Sequence, residues 1–414
     1  MLDSLPELDA LKAHVESLHL SKDVMELMLR GKSAIDSRQG LPIRSIDEAD
    51  RFLISYGYRS DDMVERSELH GNYQEALRFI KKYFLRPENP DGANLEIPKA
   101  FLEMTDVREL FVWASDRTHA DIKRMRWACS ILRVMHTISH LDKDLRHEYF
   151  PTIQQQVFDR FYKELHHEGA KVFLGDPKKL SSVELVKFQT KPRKARDSVI
   201  LKLLHKPENV AEEVFDQVGV RFVTTKMVDA VKVLKYLQDR YIVMPMNIRP
   251  SRSRNNLIDP LLYRRIWREA RAIARSGGAK SMIDTMLEEV LQKGYEAEPG
   301  SKAAANNPFT SSSYRSIQFT CRQLIKYHNP VHESIKQLRA ALKKTEDQEI
   351  KKIVEGIDLS HVTREQRFFY PFEVQIFDQR NHEEAENGRA SHSAYKKSQG
   401  QAAMRRVLGS LIED

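Results

Sequence analysis

Along residues 1–168 the apolar positions recur at helical spacing. From His119 to Leu145, Ile122, Met125, Cys129, Leu132, Met135 and Ile138 fall three or four apart with charges between them. That is the stripe of an amphipathic helix. Strand-like alternation is scarce in this stretch, so it reads as helix after helix. The pattern breaks at Leu174-Gly175-Asp176-Pro177, since glycine and proline punctuate regular structure. The boundary is placed near that break, giving a helical domain over 1–170 and a second domain over 171–414.

Beyond the break the period changes. Val183 to Thr190 reads as a strand, Arg196 to His205 as a helix and Val218 to Thr225 as a strand. Met227 to Arg240 sets Val228, Val231, Leu234 and Leu237 on one side of a helix, whereas Tyr314 to Leu324 and Phe368 to Phe377 alternate as strands. The C-terminal residues return to helix. The pattern predicts an α+β domain with helical insertions at about 245–312 and 328–366.

Composition narrows the picture only a little. A chain of 414 residues is too long for one compact core and implies two domains. Apolar (41%) and charged (30%) fractions are those of a soluble globular protein. No uncharged apolar run of about 18 residues occurs, so no membrane span or membrane partner is expected. The acidic start MLDSLPELDALKAHVESLHL is no signal peptide, and a cytoplasmic location follows as the expectation. Two cysteines, Cys129 and Cys321, without CxxC spacing, exclude a disulfide framework or a cysteine-rich zinc site. The net charge of +8 favours polyanionic partners such as nucleotides or RNA.

Five segments carry candidate chemistry. In Lys191-Pro-Arg-Lys-Ala-Arg-Asp-Ser-Val-Ile-Leu-Lys202, Ser198 and Lys202 share a helical face and Lys194 precedes the helix. A helix N-terminus among cations suits phosphate, although a solvated basic helix shows the same pattern. In Asp216-Gln-Val-Gly-Val-Arg221, Asp216 is a candidate Mg²⁺ ligand and Arg221 a candidate phosphate contact; a surface ion pair reads equally well. In the third segment, period two puts Tyr314, Ser316, Gln318 and Thr320 on one face and Arg315, Ile317, Phe319 and Cys321 on the other. That polar face suits base stacking and hydroxyl contacts, or plain solvent. In the fourth, Glu373 and Gln375 oppose Phe372, Val374 and Ile376, which makes Glu373 a candidate metal ligand or base. In the fifth, Ala385 to Lys396 reads as a helix containing Gly388, where a glycine costs about 1 kcal/mol against alanine and so points to close packing.

Taken in order, these segments resemble the synthetase domain of the RelA/SpoT family over about residues 183–397. That family shows K-x-x-x-S-I-x-x-K, D-x-x-G-x-R, G-Y-x-S-L-H, E-V-Q-I and A-E-x-G-x-A-A-H-W-x-Y-K. Here Lys194, Ser198 and Lys202 stand in the first, Asp216, Gly219 and Arg221 in the second, and Tyr314 and Ser316 in the third. Glu373 and Gln375 stand in the fourth, and Ala385, Glu386, Gly388, Ala390, His392, Tyr395 and Lys396 in the fifth. The resemblance implies a mixed-sheet, nucleotidyltransferase-like synthetase domain that moves pyrophosphate from ATP to a guanine nucleotide's 3′-hydroxyl. It implies Mg²⁺ at Asp216 and Glu373, phosphate contacts from Lys194, Lys202 and Arg221, with Ser198 beside them, and acceptor contacts from Tyr314, Ser316, Gln318, Gln375 and His392. Such transfer rests on positioning and charge neutralisation.

The departures fall around the acceptor and phosphate contacts. The family arginine before the first lysine is Pro192, with Arg193 and Arg196 near enough to substitute; its glycine is Ser313, its histidine Gln318, the arginine after E-V-Q-I Phe377, and a lysine Thr310. In the first insertion, Arg264, Arg268, Arg271 and Arg275 share a helical face, either solvated or contacting RNA phosphates. Small relatives in the resembled family that act on tRNA 3′-ends put tRNA beside GDP or GTP as acceptor. A nucleotide- or RNA-binding regulator with weakened catalysis is the third reading. His136, His140 and Asp142 form H-x-x-x-H-x-D without an evident third metal ligand, and read as packing or surface histidines. No His-Asp dipeptide occurs, so the family's hydrolase half is expected to be absent.

Overall fold

The computed structural model describes residues 43–116, 121–143, 149–191, 195–205, 218–297, 315–342, 348–357, 363–387 and 392–412, with a few isolated residues before 43. The chain divides into two compact units that interleave in sequence. The first holds residues 1–144, 195–214 and 396–414; the second holds 145–194 and 215–395. This differs from the single cut expected near residue 170. Helix Arg196–His205 contributes Val199, Ile200, Leu203 and Leu204 to the first core, and the C-terminal helix adds Met404, Val407 and Leu408. Their apolar faces assign them there, and sequence order does not.

In the first unit, α1 (Ile46–Tyr56), α2 (Met63–Tyr83), α3 (Arg108–Ser115) and α4 (Ile122–Asp142) surround a core containing Leu53, Tyr73, Phe84, Phe101 and Trp127. Ser45, Asp62 and Asp121 cap α1, α2 and α4, each side chain accepting from free amides of the first turn. Ser130 and Arg133 of α4 both donate to the Val407 carbonyl, at 3.0 and 2.8 Å.

The second unit opens with α5 (Phe150–Tyr162) and a hairpin of β1 (Leu165–Glu168) and β2 (Lys171–Leu174). Gly169 turns the hairpin at φ 59°, a conformation glycine adopts without steric cost. The sequence pattern missed this hairpin because LHHE is short, polar and largely exposed. Then follow β3 (Val183–Thr190), α6 (Arg196–His205, the helix of the first unit), β4 (Gly219–Thr224) and α7 (Met227–Asp239). The first insertion forms β5 (Arg254–Asn255), α8 (Pro260–Arg275) and α9 (Lys280–Ala297). Next come β6 (Ile317–His328), the second insertion with α10 (Pro330–Leu342) and α11 (Gln348–Glu355), β7 (Glu365–Asp378), α12 (Gln379–Asn387) and α13 (His392–Ile412).

The seven strands form one mixed sheet in the order β1-β2-β3-β4-β7-β6-β5, with β4 and β7 parallel and the other pairs antiparallel. The predicted α+β class holds at this level. One face of the sheet carries Val220, Phe222, Phe372, Val374 and Ile376, which pack with Phe161 of α5 and Met227 and Val233 of α7. Strict alternation sends the intervening side chains to the opposite face. The middle of the helix expected across 385–396, Gly388 included, lies outside the described residues; α12 covers its start and α13 its end.

Candidate active site

The face opposite the apolar core is polar, and its register puts candidate residues side by side. Gln189, Arg221, Gln375, Gln318 and Arg254 form one row across β3, β4, β7, β6 and β5. A second row runs Lys191, Gly219, Glu373, Thr320: the Lys191 amide donates to the Gly219 carbonyl at 2.8 Å, and Glu373 pairs with Gly219 and Thr320 in the two ladders.

Glu373 sits at the centre of this face with a side chain only 6% exposed. A carboxylate so buried needs partners, because leaving a charge unpaired away from water is costly. The Lys191 ammonium supplies the counter-charge on Oε2. Gln318 donates its amide to Oε1, and Gln375 donates to Oε2 at 3.3 Å. The glycine at 219 has a direct cause: a Cβ there would lie 3.0 Å from Lys191 Cδ and 3.2 Å from the Glu373 carbonyl oxygen. A side chain at 219 would push apart the two residues of the ion pair.

Arg221 stands two positions farther along β4 on the same face. Its Nε donates to Gln375 Oε1 at 3.2 Å and its Nη1 to Glu386 Oε1 of α12 at 2.7 Å. The guanidinium also lies over the Phe377 ring, 5.3 Å from the centroid. Its side chain is 17% exposed, so most of this cation is removed from water. His382 of α12 packs edge-on against the same ring. Burial lowers its imidazole below the ordinary range, and the Arg221 charge acts in the same direction. At the end of β7, burial raises the Asp378 carboxyl while the Asn381 amide, 2.5 Å away, pulls it back.

The structure therefore brings together Glu373, Gln375, Gln318 and Arg221 of the expected site. Ser316 is buried at the start of β6, where its amide donates to Asn256 Oδ1 at 2.8 Å. Arg196, Ser198 and Lys202 belong to the first unit. Arg196 is committed there to Glu75 at 3.0 Å and to Asp142 at 2.9 Å. Asp216, Arg193, Lys194 and Tyr314 lie outside the described residues, as does the side chain of His392. Thr320 lies on the polar face, as its alternation with Gln318 predicted, whereas Lys191 and Arg254 join it without having been singled out. Only the pairing of Lys191 with Gly219 reveals it, since nothing in Lys191-Pro192-Arg193-Lys194 ranks one cation above another.

Elsewhere, the Tyr56 hydroxyl lies 2.6 Å from His136 Nδ1, and the His136 and His140 rings are 4.3 Å apart. Among the described residues, no group of three or more His, Cys, Asp or Glu side chains is arranged to hold a metal ion. No described helix is long and apolar enough to cross a membrane. Comparison of the chain with protein-family models, with curated proteins and with solved structures gives no match in any of the three.

Proposed function

We propose that this chain is an ATP-dependent pyrophosphokinase of RelA/SpoT type, built on a nucleotidyltransferase-like sheet and acting on a guanine nucleotide's 3′-hydroxyl. One observation carries the reading: the buried Glu373 of E-V-Q-I adjoins the glycine of D-x-x-G-x-R in the ladder, with Arg221 of that motif on the same face. Two motifs separated by about 150 residues of sequence thus converge on one patch, which is what a shared site requires and a chance likeness does not.

The acceptor 3′-oxygen would attack the β-phosphorus of ATP. The bond from that phosphorus to the oxygen bridging it to the α-phosphate breaks, and AMP leaves with that oxygen. Glu373 takes the hydroxyl proton, while Lys191 and Arg221 offset the phosphate charge. Mg²⁺ takes hard oxygen donors; Glu373 is one such donor, and Asp216 is the second that the resemblance implies. A bound Mg²⁺ supplies further neutralisation of the triphosphate. The Glu373 oxygens are engaged by Lys191, Gln318 and Gln375, so metal binding requires the Lys191 ammonium to move from carboxylate to phosphate.

That engagement also favours a second reading. A carboxylate whose oxygens already hold an ammonium and two amides is committed to holding the sheet together, as suits a nucleotide- or RNA-binding regulator with little catalysis. Incubation with ATP labelled in the β-phosphate, Mg²⁺ and separate acceptors (GDP, GTP, ATP, bulk tRNA) distinguishes the readings. Label on GDP or GTP is the expected result, label on tRNA alone moves the acceptor to RNA, and no transfer with ATP binding retained leaves the regulator.

A further inference from the structure

We infer that α8 is a docking surface for single-stranded RNA. The helix begins at Pro260, capped by Asp259 through the Leu261 and Leu262 amides at 2.8 and 3.3 Å, and carries five arginines against one acid, Glu269. Its core side is fixed: Ile266 and Ala270 are buried in the apolar core of the sheet unit, with Leu262 and Tyr263 packed against it. At about 100° per residue, Arg264, Arg268, Arg271 and Arg275 fall within roughly a 60° arc on the side opposite those residues. All four are exposed, as is Arg265. Among the described residues none of the five has an ion-pair partner, whereas Arg108, Arg124, Arg196, Arg221 and Arg240 all do.

An aromatic completes the surface. Trp267 is 45% exposed at the edge of the arginine arc, and the Arg271 guanidinium lies 4.8 Å from its ring centroid. Arginines aligned on one side match a phosphate backbone, and an exposed indole beside them offers a platform on which an unstacked base can lie. Bases in a duplex are already stacked, which favours a single strand. A lipid surface fits less well, because the apolar side that would enter it is buried in the core of the same unit. The helix also follows β5 by only a few residues, and Arg254 of β5 belongs to the polar row of the candidate active site. Choosing RNA over DNA rests on the proposed transfer to a ribonucleotide hydroxyl; docking of a single strand does not.

Fluorescence anisotropy with a dye-labelled single-stranded RNA of mixed sequence tests this, titrated over a range of salt. Four phosphates neutralised on a single strand give a slope of log K against log salt of about −3. Replacing Arg264, Arg268, Arg271 and Arg275 together by Gln is expected to weaken binding at least tenfold and flatten that slope. Trp267→Ala is expected to cost about tenfold with the slope retained. The replaced side chains are exposed, and circular dichroism checks that each variant stays folded. Equal affinity of the wild type for DNA of the same sequence would overturn the choice of RNA. Binding to anionic vesicles but not RNA, or unchanged RNA binding by the fourfold variant, would overturn the docking surface. The transfer assay run on the same protein separates the two proposals, since RNA binding without transfer sinks only the pyrophosphokinase.

Discussion

Replacing Lys191 by Met removes the ammonium from Glu373 while keeping most of the stem that packs beside Gly219. Truncating one partner of a buried ion pair costs about 3–5 kcal/mol, because the remaining charge is left without compensation. Here the amides of Gln318 and Gln375 stay on the carboxylate, and Lys191 is itself 23% exposed. The expected loss is therefore smaller, about 2–3 kcal/mol. Glu373→Gln is expected to cost only about 1 kcal/mol, since the partly exposed ammonium it releases can reach water. In the double variant neither charge remains, so most of the Lys191→Met loss is recovered and the coupling is about 2 kcal/mol. Urea-dependent hydrogen exchange of the β4 and β7 amides reads the sheet unit separately from the helical one. Additive effects of the two substitutions, or an unchanged Lys191→Met protein, would refute the claim that this pair stabilises the centre of the sheet.

Other predictions use the same reasoning. Gly219→Ala puts a methyl 3.0 Å from Lys191 Cδ and 3.2 Å from the Glu373 carbonyl; a loss of about 1–3 kcal/mol is expected in urea melts together with impaired transfer, and a neutral effect would show that the contact yields freely. Gly92→Ala in the first unit should cost more, because its Cβ would lie 2.3 Å from the Phe84 carbonyl oxygen, which is backbone and cannot rotate away; a smaller loss than at Gly219 would contradict this. Burial, with His140 adding to it, lowers the His136 imidazole from 6.5 to about 4. Between those values the unfolded chain binds a proton that the folded chain does not, so stability falls as the pH drops through this window, by about 1.4 kcal/mol per unit at most. Thermal melts from pH 7 to pH 4.5 should show that slope in the wild type and a flatter one in His136→Gln; equal slopes would rule out His136 as its source.

Much of the sheet was legible in the sequence because period two survives burial. The predicted strand Val183–Thr190 and helix Arg196–His205 match the observed bounds, and Glu373 and Gln375 lie opposite Phe372, Val374 and Ile376. The α8 stripe was legible for a related reason, since Ile266 and Ala270 mark the buried side. What stayed hidden depends on pairing between distant segments. The β1–β2 hairpin has too few apolar positions to alternate, and β5 is two residues long. The partnership of Lys191 with Glu373 spans 182 residues. Arg196 shows the converse, a cation read as phosphate-binding from its neighbours that finds Glu75 and Asp142 within its own unit.

The most direct test of the proposed function pairs transfer with binding in one variant. Glu373→Gln keeps the shape of the site and one acceptor for its two neighbouring amides, but removes its carboxylate. Transfer of labelled pyrophosphate from ATP to GDP or GTP is predicted in the wild type and should fall at least a hundredfold in Glu373→Gln, with ATP binding in the absence of Mg²⁺ changed little. Transfer by the variant at the wild-type rate, or none by the wild type with any acceptor, would contradict the assignment of Glu373 to the reaction.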